Sequence, residues 1–297
     1  MADRARPCLL MFVCLCVLTG HAQSAILSPR EKWVKSLAEA QSELKNSATS
    51  YLNLNDMAYL EMDQTIYLDL KAPHEKALWL KELPKSADYL EISRRKDGVP
   101  AVRRPSGETF DLVNENDWRS ASGLVIHQNG AARPRVLIGL HDPRHPKQKE
   151  FISAPYFSYN SGAVIAARFH KAEPFEPIEF ITTRDEKKKA HIVGRLLFRY
   201  AKKDCVLEAY SWANPPDETK EIFIPFKDAT TGRQTYGGGR YLDSELLQGL
   251  QSERVVLDFN YAYNPACVRS PFFNCVLVRG NRLPVAMDAG EKAPFQH

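Results

Sequence analysis

Residues 226–243 read F-K-D-A-T-T-G-R-Q-T-Y-G-G-G-R-Y-L-D, and residues 255–267 read V-V-L-D-F-N-Y-A-Y-N-P-A-C. In the second run, inward and outward positions alternate from Val255 to Asn260, which is typical of a β-strand that ends in polar side chains. The first run combines three glycines with aromatic rings and an arginine. Neither run contains a phosphate loop or a nucleophile elbow, so these motifs assign no reaction to the chain.

Short strand-like runs extend outward from this stretch over most of the chain. Pairs that favour tight turns separate several of them, at Asp97-Gly98, Ser106-Gly107 and Asn129-Gly130, because glycine accepts a positive φ. The sequence predicts a mainly β fold, a β-sandwich or an open barrel, with an N-terminal helix, and therefore α+β overall. The strand-like runs cover residues 66–70, 89–92, 108–113, 123–127, 135–139, 164–169, 178–182, 192–200, 206–210, 221–225 and 254–259.

The N-terminal part of the mature chain carries the helix. Ser28, Pro29 and Glu31 have the spacing of a capping box with proline in the first turn, and apolar residues follow at helical spacing from Trp33. We predict a helix over 29–47 and a second, short helix over 74–83. The expected organisation is a signal peptide at 1–22, a helical lead at 23–84, a small β unit at 85–140 and a larger β unit at 141–297.

The first residues predict export. Arg4 and Arg6 precede an apolar run from Cys8 to Leu18, and small residues follow up to Ala22. The apolar run is well short of the ~20 residues needed to span a bilayer, so it is typical of a secretory signal peptide. We predict cleavage after Ala22, with Ala25 as the second choice, and a periplasmic or extracellular protein without an integral membrane segment after cleavage.

Composition limits the partners of the protein. The 297 residues carry 40 basic and 36 acidic side chains, a net charge of +4, and 44% of them are hydrophobic. This balance supports a folded core, and the short basic clusters at 94–96, 103–104 and 187–189 are interpreted as solvated loops, so nucleic-acid binding, which usually needs a clustered basic face, is not expected. A small-molecule ligand is compatible with this composition. No cofactor is predicted, and the oligomeric state stays open.

Signal cleavage would leave three cysteines, Cys205, Cys267 and Cys275. An odd number in an exported protein indicates one disulfide and one free thiol. Cys267 and Cys275 are the natural pair because they are close in sequence and Pro271 bends the chain between them. Zinc ligation and a reactive thiol stay as alternatives. Cys205 lies in a strand-like run and is interpreted as a buried apolar residue.

His141 and His145 have the four-residue spacing of helical zinc ligands. Pro143 and Pro146 rule out a regular helix there, and the sequence offers no third ligand nearby. We therefore predict no metal site and interpret this segment as a turn-rich loop.

The candidate binding site lies in the opening stretch. Three glycines let a backbone or ligand approach closely, and Arg240 could hold a carboxylate or phosphate in two hydrogen bonds. The alternative is a sharp turn in which Arg240 pairs internally with Asp243 or Asp258. The first interpretation predicts a polar pocket for a small anionic or polyhydroxyl ligand. Its predicted lining is Tyr236, Gly237, Gly238, Gly239, Arg240, Asp258, Asn260, Asn264 and Arg282.

Two other function classes remain open. The protein could be a hydrolase-like enzyme that uses Asp258 or Asp243 as its base, or a non-catalytic scaffold of the cell envelope. No Ser-His-Asp order and no obvious carboxylate pair supports the enzyme over the binding protein.

Several ordered motifs together resemble a bacterial and archaeal family known as domain of unknown function 1684. They are T-T-G-R-Q-T-Y-G-G-G-R-Y-L-D, V-L-D-F-N-Y-A-Y-N-P-A-C, Cys275, N-R-L-P and A-G-E-K, with D-P-R-H-P-K-Q-K-E-F and Y-F-S-Y-N earlier in the chain. The resemblance implies a mainly β fold and no particular substrate. One departure is that Gly280 stands where the family pattern has Glu, and this argues against a reaction that depends on that Glu.

Overall fold

The structure is a computed structural model that describes residues 27–113, 116–132 and 135–294. Two α-helices are present in this part of the chain, α1 (Pro29–Asn46) and α2 (Pro146–Glu150). The strands are β1 (Leu54–Leu60), β2 (Thr65–Asp69), β3 (Tyr89–Arg94), β4 (Pro100–Arg103), β5 (Thr109–Asp111), β6 (Trp118–Arg119), β7 (Val125–Ala132), β8 (Arg135–His141), β9 (Val164–Ile181), β10 (Lys187–Tyr200), β11 (Lys203–Ser211), β12 (Glu221–Phe226), β13 (Arg240–Glu245), β14 (Leu247–Leu250) and β15 (Arg254–Asp258).

Helix α1 begins where the capping box predicts. The hydroxyl of Ser28 accepts from the Glu31 backbone N–H at 3.3 Å, and the Glu31 carboxylate accepts from the Ser28 N–H at 2.8 Å. These two bonds satisfy backbone donors that the first turn leaves open. The helix ends one residue before the predicted boundary. Its buried Trp33 donates from Nε1 to the carbonyl of Asn260 at 3.0 Å, which fixes the helix against the C-terminal half.

Two four-stranded antiparallel sheets make up the N-terminal half, in the orders β1-β8-β7-β6 and β2-β3-β4-β5. They share one apolar core, to which Leu60, Leu90 and Ile138 contribute with no exposed area. Strands β1 and β2 come from the stretch expected to be a helical lead, and they pair with strands of the 85–140 unit. The helical lead and that unit therefore share both sheets.

A six-stranded antiparallel sheet in the order β13-β12-β11-β10-β9-β15 makes up the C-terminal half. It curls until its two edge strands approach each other, where Ser244 on β13 donates from Oγ to the carbonyl of Val256 on β15 at 2.9 Å. Inside the curl lies a core that includes Phe226, Phe259 and Met287, all completely buried. The sheet is thus a nearly closed barrel, and the predicted fold class is confirmed.

Strand β9 differs from the sequence prediction. The sequence predicts two separate runs, 164–169 and 178–182, and Pro174 and Pro177 lie between them. The structure has one strand, because the register with β10 shifts between Ile192 and Gly194, which leaves residues 172–175 of β9 unpaired, and the pairing continues on both sides. A proline in a bulge costs no ladder hydrogen bond.

The helix predicted over 74–83 is wrong beyond its first turn. A short 3₁₀ helix covers only His74–Lys76. After it, Leu80 exchanges backbone hydrogen bonds with Tyr67 of β2, both at 2.8 Å. Extended pairing with a neighbouring strand thus replaces the helical bonds.

Within the described residues, no helix combines the length and the apolar character needed to cross a membrane. The predicted signal peptide at 1–22 lies outside these residues.

Candidate functional site

Arg240 is held inside the protein. It is 1% exposed, and one terminal nitrogen donates to Asp228 Oδ2 at 2.7 Å and to the carbonyl of Met287 at 3.0 Å. The other donates to the carbonyl of Ala289. Burial lowers the pKa of Arg240, and the charge of Asp228 opposes that shift. The side chain thus ties the turn after β12 to the last segment of the chain.

The structure therefore shows the internal pairing of Arg240 that the sequence left as the alternative, although its partner is Asp228. Asp243 instead accepts from the hydroxyl of Tyr263 at 2.6 Å, and burial raises the pKa of Asp243. Asp258 accepts from the backbone of Asn260 at 3.0 Å. Both carboxylates proposed as catalytic bases are thus engaged in local contacts.

The glycine run forms a turn in which the third glycine is structural. Gly239 has φ of +97°, and a Cβ there would lie 2.7 Å from Val278 Cγ2 and 2.8 Å from the carbonyl oxygen of Phe226. Gly237 is different, because its nearest neighbour would be 3.8 Å away. The three glycines predicted a close approach by a backbone or a ligand. At Gly239 it is the protein's own chain that approaches.

Asn260 joins three parts of the chain at the end of β15. It is 1% exposed; its Oδ1 accepts from the Asn160 N–H at 2.8 Å, and its Nδ2 donates to the Asn160 carbonyl at 2.9 Å and to Asp258 Oδ1 at 2.8 Å. Its own carbonyl receives the Trp33 bond. Asn260 thus satisfies loop backbone groups, a common use of asparagine.

The other predicted ligand residues lie apart from one another. Tyr236 is partly buried, Gly238 packs against the ring of Tyr236, and Arg282 is exposed. Gly280, at the position of the family Glu, lies in an exposed turn with φ of +86° and nothing near its Cβ position. Of the nine predicted ligand residues, only Asn264 lines either of the two cavities described below.

All three described cysteines are free thiols, so the predicted Cys267–Cys275 disulfide is not formed in this structure. The two side chains nevertheless lie together, and the Cys267 N–H donates to Cys275 Sγ at 3.2 Å. The Cys267 thiol lowers the pKa of Cys275, assisted by Lys188, and Cys275 in turn raises the pKa of Cys267. Cys205 is buried, as predicted.

The two histidines considered as metal ligands serve the structure. His141 is fully buried, with Nδ1 bonded to Asn53 Oδ1 at 2.8 Å and Nε2 to Asn129 Nδ2 at 3.0 Å. Burial lowers the pKa of His141 to about 3. His145 caps α2 by accepting from the Lys147 N–H at 3.2 Å. No cluster of potential metal ligands occurs among the residues that the structure describes.

A large cavity lies between the two halves of the protein. Its volume is about 740 Å³. We call it the cationic cavity, since three basic side chains (Arg144, Lys147 and Arg269) face two carboxylates (Glu75 and Asp142), which leaves one positive charge. Its charged and polar lining consists of Asn55, His74, Glu75, Asp142, Arg144, His145, Lys147, Arg269 and Ser270.

Internal ion pairs already neutralise part of that positive charge. Asp142 Oδ1 accepts from Arg144 Nε at 3.1 Å, and its Oδ2 lies 3.2 Å from His74 Nδ1. Arg269 is paired with the buried Glu291. The side chain of Arg144 is 51% exposed, and Lys147 is exposed as well. These two cations are therefore accessible to a ligand.

Two buried polar atoms of this lining have no hydrogen-bond partner among the described residues: His74 Nε2 and Ser270 Oγ. Because a carboxylate only accepts, we assign the His74 Nδ1 proton to the bond with Asp142. An unpaired polar atom in a protein interior is unfavourable, so atoms of this kind mark places where water or a ligand group binds.

Sequence reasoning missed this cavity. The D-P-R-H-P-K run was interpreted through its histidines and prolines and as part of the family resemblance, and Arg269 and Ser270 were not singled out. The basic side chains of that run were the one feature of the sequence that could have indicated this cavity. Nothing in the sequence indicated that His74 would lie beside them, because 68 residues separate it from Asp142.

A second cavity of about 360 Å³ lies next to the first and shares Tyr51 and Arg269 with it. Tyr156 and Tyr263 also line it, so we call it the tyrosine cavity. Asn264 lines it as well, is 3% exposed, and has an Oδ1 with no partner in the described chain. The remaining polar lining includes Gln41, Glu43 and Glu291.

Comparison with known proteins gives a family match and related solved structures. Residues 149–292 match a family described as a protein of unknown function, DUF1684. The solution NMR structure of an uncharacterized protein from gene locus rrnAC0354 of Haloarcula marismortui is 33% identical, over 51% of this chain and 82% of that chain. Its TM-score is 0.43. No curated protein matches the chain.

Proposed function

The chain belongs to the DUF1684 family through residues 149–292, and we propose that it is an exported protein that binds a small anionic molecule in the cationic cavity. The observation that carries the proposal is the coincidence of accessible cations with two unpartnered buried polar atoms in one cavity. A volume of about 740 Å³ is within the range of small-molecule sites.

The electrostatics favour an anion. Arg144 and Lys147 can donate to the oxygens of a carboxylate or phosphate, and such charge-assisted bonds are the strong ones in proteins. Asp142 neutralises part of the charge of Arg144, because its Oδ1 accepts from Arg144 Nε, whereas its Oδ2 lies beside His74 and does not engage Lys147. Arg269 remains a source of positive potential, although Glu291 neutralises much of it.

The unpartnered atoms favour a ligand with several oxygens. Ser270 Oγ–H can donate to such an oxygen, and His74 Nε2 can do so once the ring is protonated. In its neutral form, with the proton on Nδ1, His74 would instead accept from a ligand hydroxyl. A hydroxylated or protonated anion satisfies both atoms, which connects the anionic and polyhydroxyl alternatives predicted from the sequence.

The two lysines of α2 provide a matched test. Lys147 lines the cationic cavity, whereas Lys149 on the same helix does not. With inorganic phosphate and citrate as probes, we expect Lys147→Ala to weaken binding about three- to tenfold, as for loss of an exposed charge contact. Arg144→Ala should weaken it about tenfold or more, because an arginine can form two bonds to one anion. Titration calorimetry measures both effects.

Lys149→Ala is the control and should bind the probes like the unaltered protein. Equal weakening by both lysine variants would mean a diffuse charge effect and would contradict a site. Absence of saturable heat with either anion at low salt would overturn the proposal. Low salt is required because screening weakens exposed contacts.

Export and the cysteine pair are tested together by the mass of the exported protein. We expect loss of residues 1–22 and of two hydrogens, the latter from a Cys267–Cys275 bond. A thiol–disulfide oxidoreductase of the exporting compartment would accept the two electrons and two protons released from the thiols. A proteolytic peptide that joins the two cysteines identifies the bond, and Cys275→Ser should keep both hydrogens. An uncleaved chain would contradict export, and free thiols after export would contradict the bond.

A further inference from the structure

We infer that the tyrosine cavity is a site for an organic ammonium group that carries at least one N–H. This inference goes beyond anion binding and concerns a different cavity. It starts from Asn264, whose side chain is buried and half satisfied. Its Nδ2 donates to the carbonyl of Lys292 at 2.8 Å, while its Oδ1 has no donor among the described residues.

The orientation of this amide is determined by its partner. The Lys292 carbonyl can only accept, so the NH₂ group must face it and Oδ1 must face away. A buried carbonyl oxygen without a donor is costly, and a ligand that occupies the cavity has to supply an N–H or an O–H. The required ligand group is therefore a donor, in contrast to the cationic cavity, where the cations require an acceptor.

The charge around this cavity favours a cation as that donor. Its lining has two carboxylates, Glu43 and Glu291, and one cation, Arg269, which leaves one negative charge. Arg269 and Glu291 neutralise each other in their ion pair. Glu43 is exposed on α1 and supplies the remaining negative charge.

The walls favour an amine over a sugar. Three tyrosines (Tyr51, Tyr156 and Tyr263) provide aromatic faces and edges that attract cations at short range. Gln41 is occupied, because its amide bonds both the N–H and the carbonyl of Ala154 at 2.8 and 2.9 Å. Ala40, Leu44 and Ala266 complete an apolar wall. A polyhydroxyl ligand would bury several hydroxyls against this wall without partners.

Three probes of similar shape separate the contributions. Benzylamine offers both a charge and an N–H, benzyl alcohol offers a donor without charge, and benzyltrimethylammonium offers charge without a donor. We expect benzylamine to bind saturably in an NMR titration. The side-chain amide resonances of Asn264 should shift as it binds. Each of the other two probes should bind at least about tenfold more weakly, as expected for loss of one charged hydrogen bond.

A pair of glutamates on α1 supplies the matched variants. Glu43 lines the cavity, whereas Glu39, four residues earlier, pairs with Lys35 at 3.9 Å and does not line it. Glu43→Gln should weaken benzylamine about three- to tenfold and leave benzyl alcohol unchanged. Glu39→Gln should change neither. Both side chains are exposed, so both variants should fold.

The inference is overturned if benzylamine shows no saturation, if benzyl alcohol binds as tightly as benzylamine, or if the two glutamine variants behave alike. Phosphate titrations of the same variants keep this result separate from the anion site. A protein that binds phosphate and no amine would retain the proposed function and lose only the second site.

Discussion

Arg240→Ala is expected to destabilise the protein by about 3–5 kcal/mol, because it leaves Asp228 charged and buried without its partner. Natural domains have only about 5–15 kcal/mol in total, so much of the variant should be unfolded at physiological temperature. The carbonyls of Met287 and Ala289 lose their donor as well. Denaturant unfolding, monitored by tryptophan fluorescence and circular dichroism, measures the loss.

Two further variants make this result interpretable. Arg282→Ala removes an exposed arginine of the same C-terminal segment and should leave stability unchanged. The double variant Arg240→Met/Asp228→Asn should be more stable than Arg240→Met alone, because it leaves no charged carboxylate buried without a partner. An Arg240→Ala protein with normal stability and no anion binding would contradict the structural role and support the ligand role that the sequence suggested.

Gly239→Ala is expected to cost about 3 kcal/mol or more. A φ of +97° alone strains a residue with a Cβ by roughly 1–3 kcal/mol. The new methyl would also lie 2.8 Å from the Phe226 carbonyl, which belongs to strand β12 and cannot move without disturbing its pairing with β13. Thermal unfolding should therefore occur several degrees lower than in the unaltered protein.

Gly237→Ala is the control for this position. Its φ is not in the left-handed region, and its Cβ would have only an ordinary contact at 3.8 Å. The substitution should change stability by less than about 1 kcal/mol, and a small gain would reflect the lower entropy of the unfolded chain. Equal costs at both glycines would mean that the run is constrained by something other than the contact at Gly239.

Local sequence rules predicted the elements whose stabilising contacts are local. The Ser28–Glu31 capping box placed the start of α1, because both bonds lie within one turn. Alternation placed β15 within a residue of its observed bounds. The same rules missed the continuity of β9, because the residues between its two predicted runs include 172–175, which a register shift leaves unpaired.

Contacts between residues that are far apart in sequence explain why the observed candidate site differs from the predicted one. The internal alternative for Arg240 was foreseen with the nearby carboxylates Asp243 and Asp258. The actual partner, Asp228, comes from the preceding turn, because β12 and β13 pair in a register that sets Phe226 opposite Arg240. No periodicity in the sequence specifies that register.

The sequence by itself determined the mainly β class, the capped N-terminal helix and the resemblance of the C-terminal segment to its family. Each of these depends on patterns of neighbouring residues. Only the tertiary structure decided the use of that segment, since a buried arginine is a ligand group or a structural tie according to what surrounds it. It also decided where the cavities lie. His74, Asp142 and Ser270 come from three distant parts of the chain, and only the packing of the two halves brings them to one cavity.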